Sequence, residues 1–166
     1  MALSTISGVG AGSSGTILTT GSSGQIIPKA ALPTGSVLQV VNATSSSIIS
    51  GTGQTAIITA SITPISTSSK VLAIGTLALG VLPTSNSYVT GRIYRGTTSG
   101  TQVAYVYCGV QSAINSAQNV SVTGLDSPST TSSQTYTLSA ATGSGGTASW
   151  TTDGTQYSLT LMEIAA

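Results

Sequence analysis

Nine short segments between residues 36 and 164 carry β-strand character and leave little room for any other fold. They run 36–43, 54–63, 69–80, 87–96, 101–111, 117–124, 134–142, 147–152 and 155–164. Each is rich in Val, Ile, Thr or Tyr, whose branched or flat side chains suit a pleated surface. Gly, Ser, Asn, Pro and Asp collect between them, where turns need them. No window sustains the i, i+3, i+4, i+7 spacing of an amphipathic helix. The pattern predicts an all-β fold, an antiparallel β-sandwich, with jelly-roll topology the leading option.

Alternation within the segments predicts which faces are buried. Along 87–96, Tyr88, Thr90, Arg92 and Tyr94 share one face, and Val89, Gly91, Ile93 and Arg95 the other. That is the pattern of a sheet with one wet face and one core face. The stretch 71–79 is apolar on both faces, so it belongs in the middle of a sheet or against a neighbouring subunit. Val71, Leu72, Ile74, Leu77 and Leu79 are therefore candidates for an oligomer interface. Asp153-Gly154 predicts a tight hairpin joining the last two segments.

Residues 1–35 differ from the sandwich domain expected over 36–166. They are rich in Gly and Ser, with short apolar pairs at Ile17-Leu18 and Ile26-Ile27, and they end in Pro28-Lys29-Ala30-Ala31-Leu32-Pro33-Thr34-Gly35. Alone, such a segment buries too little surface to offset its backbone entropy. It reads as a disordered leader or as an arm ordered against a partner; the spaced apolar pairs favour the arm. Ile17, Leu18, Ile26, Ile27 and Pro28 are its candidate anchoring residues.

Charge is scarce. The chain has four basic and three acidic side chains, no histidine and a net charge of +1. Catalysis near neutral pH draws on titratable groups, and few are present. Without histidine, the many serines cannot form a Ser-His-Asp system, nor can Cys108 form a Cys-His pair. Asp126, Asp153 and Glu163 lack the spacing of a metal motif, and no cofactor is expected. Asp126 and Asp153 could serve glycoside hydrolysis only if folding brought them together, and both lie in turn-like sequence. The run from Gly8 to Gly15 follows no strand, opens no helix and lacks Gly-Lys-Ser/Thr, so it is not read as a phosphate loop. The expectation is a non-enzymatic protein.

The same balance narrows the partners. A charge of +1 gives no field for nucleic acid. The apolar run from Val71 to Leu82 is too short, and too broken by Gly75, Thr76 and Gly80, to cross a bilayer as a helix. Met1-Ala2-Leu3-Ser4 opens without the basic and apolar regions of a secretory signal, which predicts assembly in a cytoplasm. The lone Cys108 excludes an intrachain disulfide and reads as a small core residue. Candidate ligand contacts are Tyr88, Arg92, Tyr94, Arg95 and Trp150. The aromatic rings, with those of Tyr105 and Tyr107, offer an apolar face and a polar tip on which a sugar could stack, and the guanidinium groups suit an anionic ligand.

Several fragments, in order, resemble a family of bacteriophage virion proteins, the tail-fibre and receptor-binding tips of environmental and cyanobacterial phages. They are Gly35-Ser36-Val37-Leu38-Gln39-Val40-Val41, Ser61-Ile62-Thr63-Pro64, Thr67-Ser68-Ser69-Lys70-Val71-Leu72 and Arg95-Gly96. Leu125-Asp126-Ser127-Pro128-Ser129-Thr130-Thr131, Tyr136-Thr137-Leu138 and Leu159-Thr160-Leu161-Met162-Glu163-Ile164 complete the match, which excludes the leader. The resemblance implies a non-enzymatic β-sandwich, usually a homotrimer, displayed on a virion. Its expected partners are copies of itself, capsid or tail proteins, and a host-surface glycan. Family fibres commonly carry a shaft that this sequence does not show, so a head-fibre or capsid-decoration role stands as the alternative.

Overall fold

The computed structural model describes residues 18–20, 26–28, 32–46, 50–51, 53–82, 87–110, 116–142, 147–149 and 156–166. The chain divides into two units, Met1–Pro33 and Thr34–Ala166. In the first, β1 (Leu18–Thr20) pairs antiparallel with β2 (Ile26–Pro28), with Leu18 opposite Pro28 and Thr20 opposite Ile26. Ile17, a candidate anchoring residue, lies outside the described residues.

The second unit holds β3 (Val37–Ser45), β4 (Ser50–Gly51), β5 (Gln54–Ile62), β6 (Lys70–Leu82) and β7 (Ser87–Arg95). It continues with β8 (Thr101–Val110), β9 (Ser116–Asp126), β10 (Gln134–Thr142), β11 (Thr147–Ser149) and β12 (Tyr157–Ile164). Every regular element among the described residues is a strand. First pairs with last throughout: β3 with β12, β4 with β11, β5 with β10, β6 with β9 and β7 with β8, all antiparallel. The unit is thus one long two-stranded ribbon, turned at the β7–β8 hairpin and rolled on itself. Rolling sets β12 and β11 beside β6, and β10 beside β7. The result is two sheets, β5-β10-β7-β8 and β3-β12-β6-β9, with β11 and β4 continuing the second. This is the strand order of a jelly roll, in which each sheet takes alternate segments of the ribbon.

The core lies between the two sheets. β12 alternates strictly: Tyr157, Leu159, Leu161 and Glu163 are fully buried, and the residues between them are half-buried on the outer face. Ile57, Ile62, Val71, Leu77, Val89, Ile93, Val122, Tyr136 and Leu138 meet them from the other strands. The sheets approach closely where side chains are absent. A Cβ on Gly75 would lie 2.6 Å from Leu138 Cδ1, and one on Gly124 would lie 2.8 Å from both Val103 O and Ala104 Cβ.

Two expectations need correction. The last two segments form no hairpin: β11 pairs with β4 and β6, and β12 with β3 and β6. Thr147–Ser149 lies opposite Gly80–Leu82, and Ser158–Ile164 opposite Lys70–Thr76, so they follow one another along the same edge of β6. Asp153-Gly154 falls outside the described residues. Within 71–79, alternation splits the candidate interface. Val71 and Leu77 are core residues, 0% and 2% exposed, and are closed to any neighbouring subunit. Leu72 and Ile74 stay half-buried on the outer face. Leu79 lies opposite Gln118 in the β6·β9 ladder. Of the two sequence alternatives, the middle of a sheet describes β6, which runs between β12 and β9.

Candidate functional site: an exposed tyrosine and arginine face

The outer face of the β7–β8 hairpin gathers most of the candidate ligand residues. Period-two alternation turns Val89 and Ile93 into the core, 0% exposed, and places Tyr88, Thr90, Arg92 and Tyr94 on the other side of the sheet, where Tyr88 is exposed and Arg92 half-buried while Thr90 and Tyr94 are covered. Register brings β8 into line, with Tyr105 opposite Arg92 and Tyr107 opposite Thr90. A bulge between Ile93 and Tyr94 then sets Gln102 opposite Tyr94. Tyr88, Tyr105 and Tyr107 are 37%, 48% and 55% exposed, so three ring surfaces stand open to solvent on one hairpin.

These side chains brace one another. The Tyr88 and Tyr107 ring centroids are 5.1 Å apart at an interplanar angle of 32°. The Arg92 guanidinium carbon sits 5.3 Å from the centre of the Tyr105 ring, a cation–π contact. Arg92 Nη1 donates to the Tyr94 hydroxyl at 3.2 Å, and that hydroxyl donates to Gln102 Oε1 at 3.3 Å. Beside them on β10, Ser139 and Thr137 lie opposite Arg92 and Tyr94 and are buried. Their hydroxyls are used locally, Ser139 Oγ donating to Arg92 O and Thr137 Oγ1 to Gly96 O. Arg92 Nε is buried and has no hydrogen-bond partner, and Arg92 meets no carboxylate among the described residues.

Arg95 does not join this face. Three residues from Arg92, it falls on the opposite side of the strand and reaches across the end of the sandwich to β9. Its Nη1 donates to Asp126 Oδ2 at 3.1 Å, and the Tyr136 hydroxyl donates to the same oxygen at 2.7 Å. Burial, then the hydrogen bond and charge of Asp126, push the Tyr136 phenol far above its ordinary range; Arg95 opposes them weakly. Grouping Arg95 with Arg92 as a ligand contact is thus corrected: Arg95 ties the two sheets together. Trp150 lies outside the described residues, and Cys108 stands opposite Val89 in the β7·β8 ladder. Tyr105 and Tyr107 were visible in sequence as stacking groups; Gln102 was not, because its place depends on the bulge.

The other carboxylate among the described residues is also committed. Glu163 Oε2 accepts from Gln39 Nε2 at 2.5 Å and Oε1 from the Ile65 N–H at 2.7 Å. Burial alone would raise its pKa. Hydrogen bonds from the Gln39 amide and the Ile65 backbone outweigh it, holding the carboxyl below its ordinary value. Among the described residues there is no cluster of three metal-ligating side chains, and no helix long and apolar enough to cross a membrane. An open depression beside β9, lined by Thr76, Leu77, Asn119, Val120, Ser121 and Gln156, contains no titratable group.

On the other side of the sandwich, the outer face of the second sheet carries an apolar row. Val40, Met162, Leu72 and Leu125 lie side by side across β3, β12, β6 and β9. Val40 and Leu125, at the two margins, are 56% and 55% exposed. The next row, Asn42, Thr160, Ile74 and Thr123, is mostly polar, and Thr44, Ser158, Thr76 and Ser121 follow it.

Among solved structures, the chain is similar in fold to proteins of infectious bursal disease virus. For the Gx strain structure the TM-score is 0.46 at 14% identity, over 90% of this chain and 37% of that one. For the VP2 subviral particle it is 0.43 at 16% identity, over 90% and 38%. The chain therefore spans less than two-fifths of the length of these proteins. No family model matches the sequence. No curated protein matches it either.

Proposed function

We propose that this chain is a non-enzymatic structural protein of a phage virion. It forms a short homotrimeric spike, held to the particle through residues 1–35 and presenting the sandwich to the host surface. The observation that carries this reading is the apolar row Val40–Met162–Leu72–Leu125 on a sheet face whose one charged side chain among the described residues is Lys70, opposite Ile164 at the end of β6. A chain with seven charged groups has little repulsion to keep such a face apart from its copies. Self-association covers the row and the free edges beside it. The ordered resemblance to phage fibre tips supplies the setting, and the exposed tyrosines of β7 and β8 supply a surface for adhesion. Shallow contacts suffice there, because linked copies raise avidity without new contacts.

Scarcity of chemistry supports the non-enzymatic part. Asp126 and Glu163 are both engaged in holding the fold, and Arg95 is paired with Asp126. Capsid decoration without a receptor is the alternative that the test separates. Labelled protein is mixed with host cells and, separately, with particles lacking it. Binding to cells supports the spike; binding to particles alone supports decoration; binding to neither overturns both. Removing residues 1–33 preserves the Gly35 N–H bond to Ala165 O that closes the sandwich. The shortened chain is expected to fold and to be left off the particle. Its normal incorporation would remove the anchoring role.

A further inference from the structure

We propose that the outer face of the β7–β8 hairpin binds an acidic saccharide, with a sugar carboxylate at Arg92 and ring faces on Tyr105 and Tyr107. This deepens the adhesion reading by naming the chemistry of its ligand. Arg92 is held still from two sides, by the Tyr105 ring beneath its guanidinium and by the Tyr94 hydroxyl at Nη1. A guanidinium fixed in this way has lost its mobility before any ligand arrives, yet it has no carboxylate partner among the described residues. An anion supplies the missing charge, and a carboxylate matches the planar fork of N–H donors.

The rings set the rest of the ligand. Tyr105 and Tyr107 are alternate residues of one strand, about 7 Å apart along it, and both are about half exposed. Tyr88 props Tyr107 from the neighbouring strand. Flat apolar faces with hydroxyl tips suit a pyranose, which offers C–H groups on its faces and hydroxyls at its rim. One cation among three open rings suits a glycan with a carboxylate on some of its sugars rather than a densely anionic chain. A peptide adding to the edge strand β8 would pair through backbone groups and have no need of Arg92.

The test uses the purified full chain with an oligogalacturonate and a sialylated trisaccharide, each alongside its neutral methyl ester, in titration calorimetry. Binding of at least one acid is expected, weakened tenfold or more by esterification and by Arg92→Gln, and also weakened by Tyr107→Ala, which does not touch the guanidinium. Arg92→Lys keeps the charge without the fork and is expected to fall between wild type and Arg92→Gln. Melting temperatures check that each variant is folded. No binding by any acid, equal binding of acid and ester, or an unchanged affinity in Arg92→Gln would overturn the proposal. Binding of the variants to host cells separates the two levels. If wild type and Arg92→Gln label cells equally, adhesion stands and the acidic-sugar site fails; if neither labels cells, adhesion itself fails. Preference for an acidic peptide over both saccharides also overturns it.

Discussion

Glu163 occupies the fourth inward position of β12, after Tyr157, Leu159 and Leu161, where an apolar residue would ordinarily sit. It is tolerated because Gln39 and the loop after β5 supply donors to both its oxygens. Since its folded pKa lies below the ordinary value of 4.5, its contribution to stability is complete above that pH. It is lost as pH falls through the folded pKa. Denaturant titrations at pH 7 and pH 3 should therefore show a smaller loss of stability for Glu163→Gln than for wild type. Equal losses would contradict the assignment. Glu163→Ala, which strands the Ile65 N–H and the Gln39 amide, should cost about 1–3 kcal/mol at pH 7. Asp126→Ala should cost a similar amount, about 1–3 kcal/mol, by stranding the Tyr136 hydroxyl beside Arg95; thermal or urea unfolding checks both. The inward position of Glu163 is legible from alternation alone. Its partners are not, because Gln39 and Ile65 lie 124 and 98 residues away in sequence. Likewise, alternation separates Arg92 from Arg95, but only the fold brings Asp126 to Arg95.

At the scale of the elements, strand positions were legible and strand partners were not. All nine expected segments coincide with β3 and β5 to β12 to within a few residues, since side-chain type and turn residues are local properties. Pairing is non-local. β11 and β12 look like a hairpin in sequence, yet both line the edge of β6, because the ribbon brings β4 and β3 to their other sides. The places where strands cross closely are equally hidden. Gly124 reads as a generic strand glycine, whereas the folded chain leaves its position no room between β9 and β8. A Cβ there meets the Val103 carbonyl, which cannot rotate away as a side chain can. Gly124→Ala is expected to lower stability by about 1–3 kcal/mol, with the loss confined to unfolding free energy and no change in strand content by circular dichroism. A variant as stable as wild type would show that β8 and β9 can part without cost.

The sandwich unit as a whole has two unlike surfaces, the tyrosine face of one sheet and the apolar row of the other. In the proposed function, the second is the face through which copies assemble. Leu72→Glu, placed at the middle of the row, is expected to shift the protein from a mass near three times 16.3 kDa to the mass of one chain, as read by light scattering on a sizing column. The same substitution should leave the melting transition cooperative, since Leu72 faces outward. An unchanged mass would place self-association elsewhere. The candidate interface was half legible: the apolar run of β6 was plain, but only register joins Leu72 to Met162, Val40 and Leu125 on neighbouring strands. The scarcity of charge, first a reason to exclude catalysis, then becomes a reason for copies to pack. The most direct measurement of the central claim is antibody labelling of intact, gradient-purified phage particles. A virion protein is required to co-purify in fixed ratio to the capsid protein and to be labelled at regular positions on every particle. Its presence in the lysate but absence from purified particles would contradict the account.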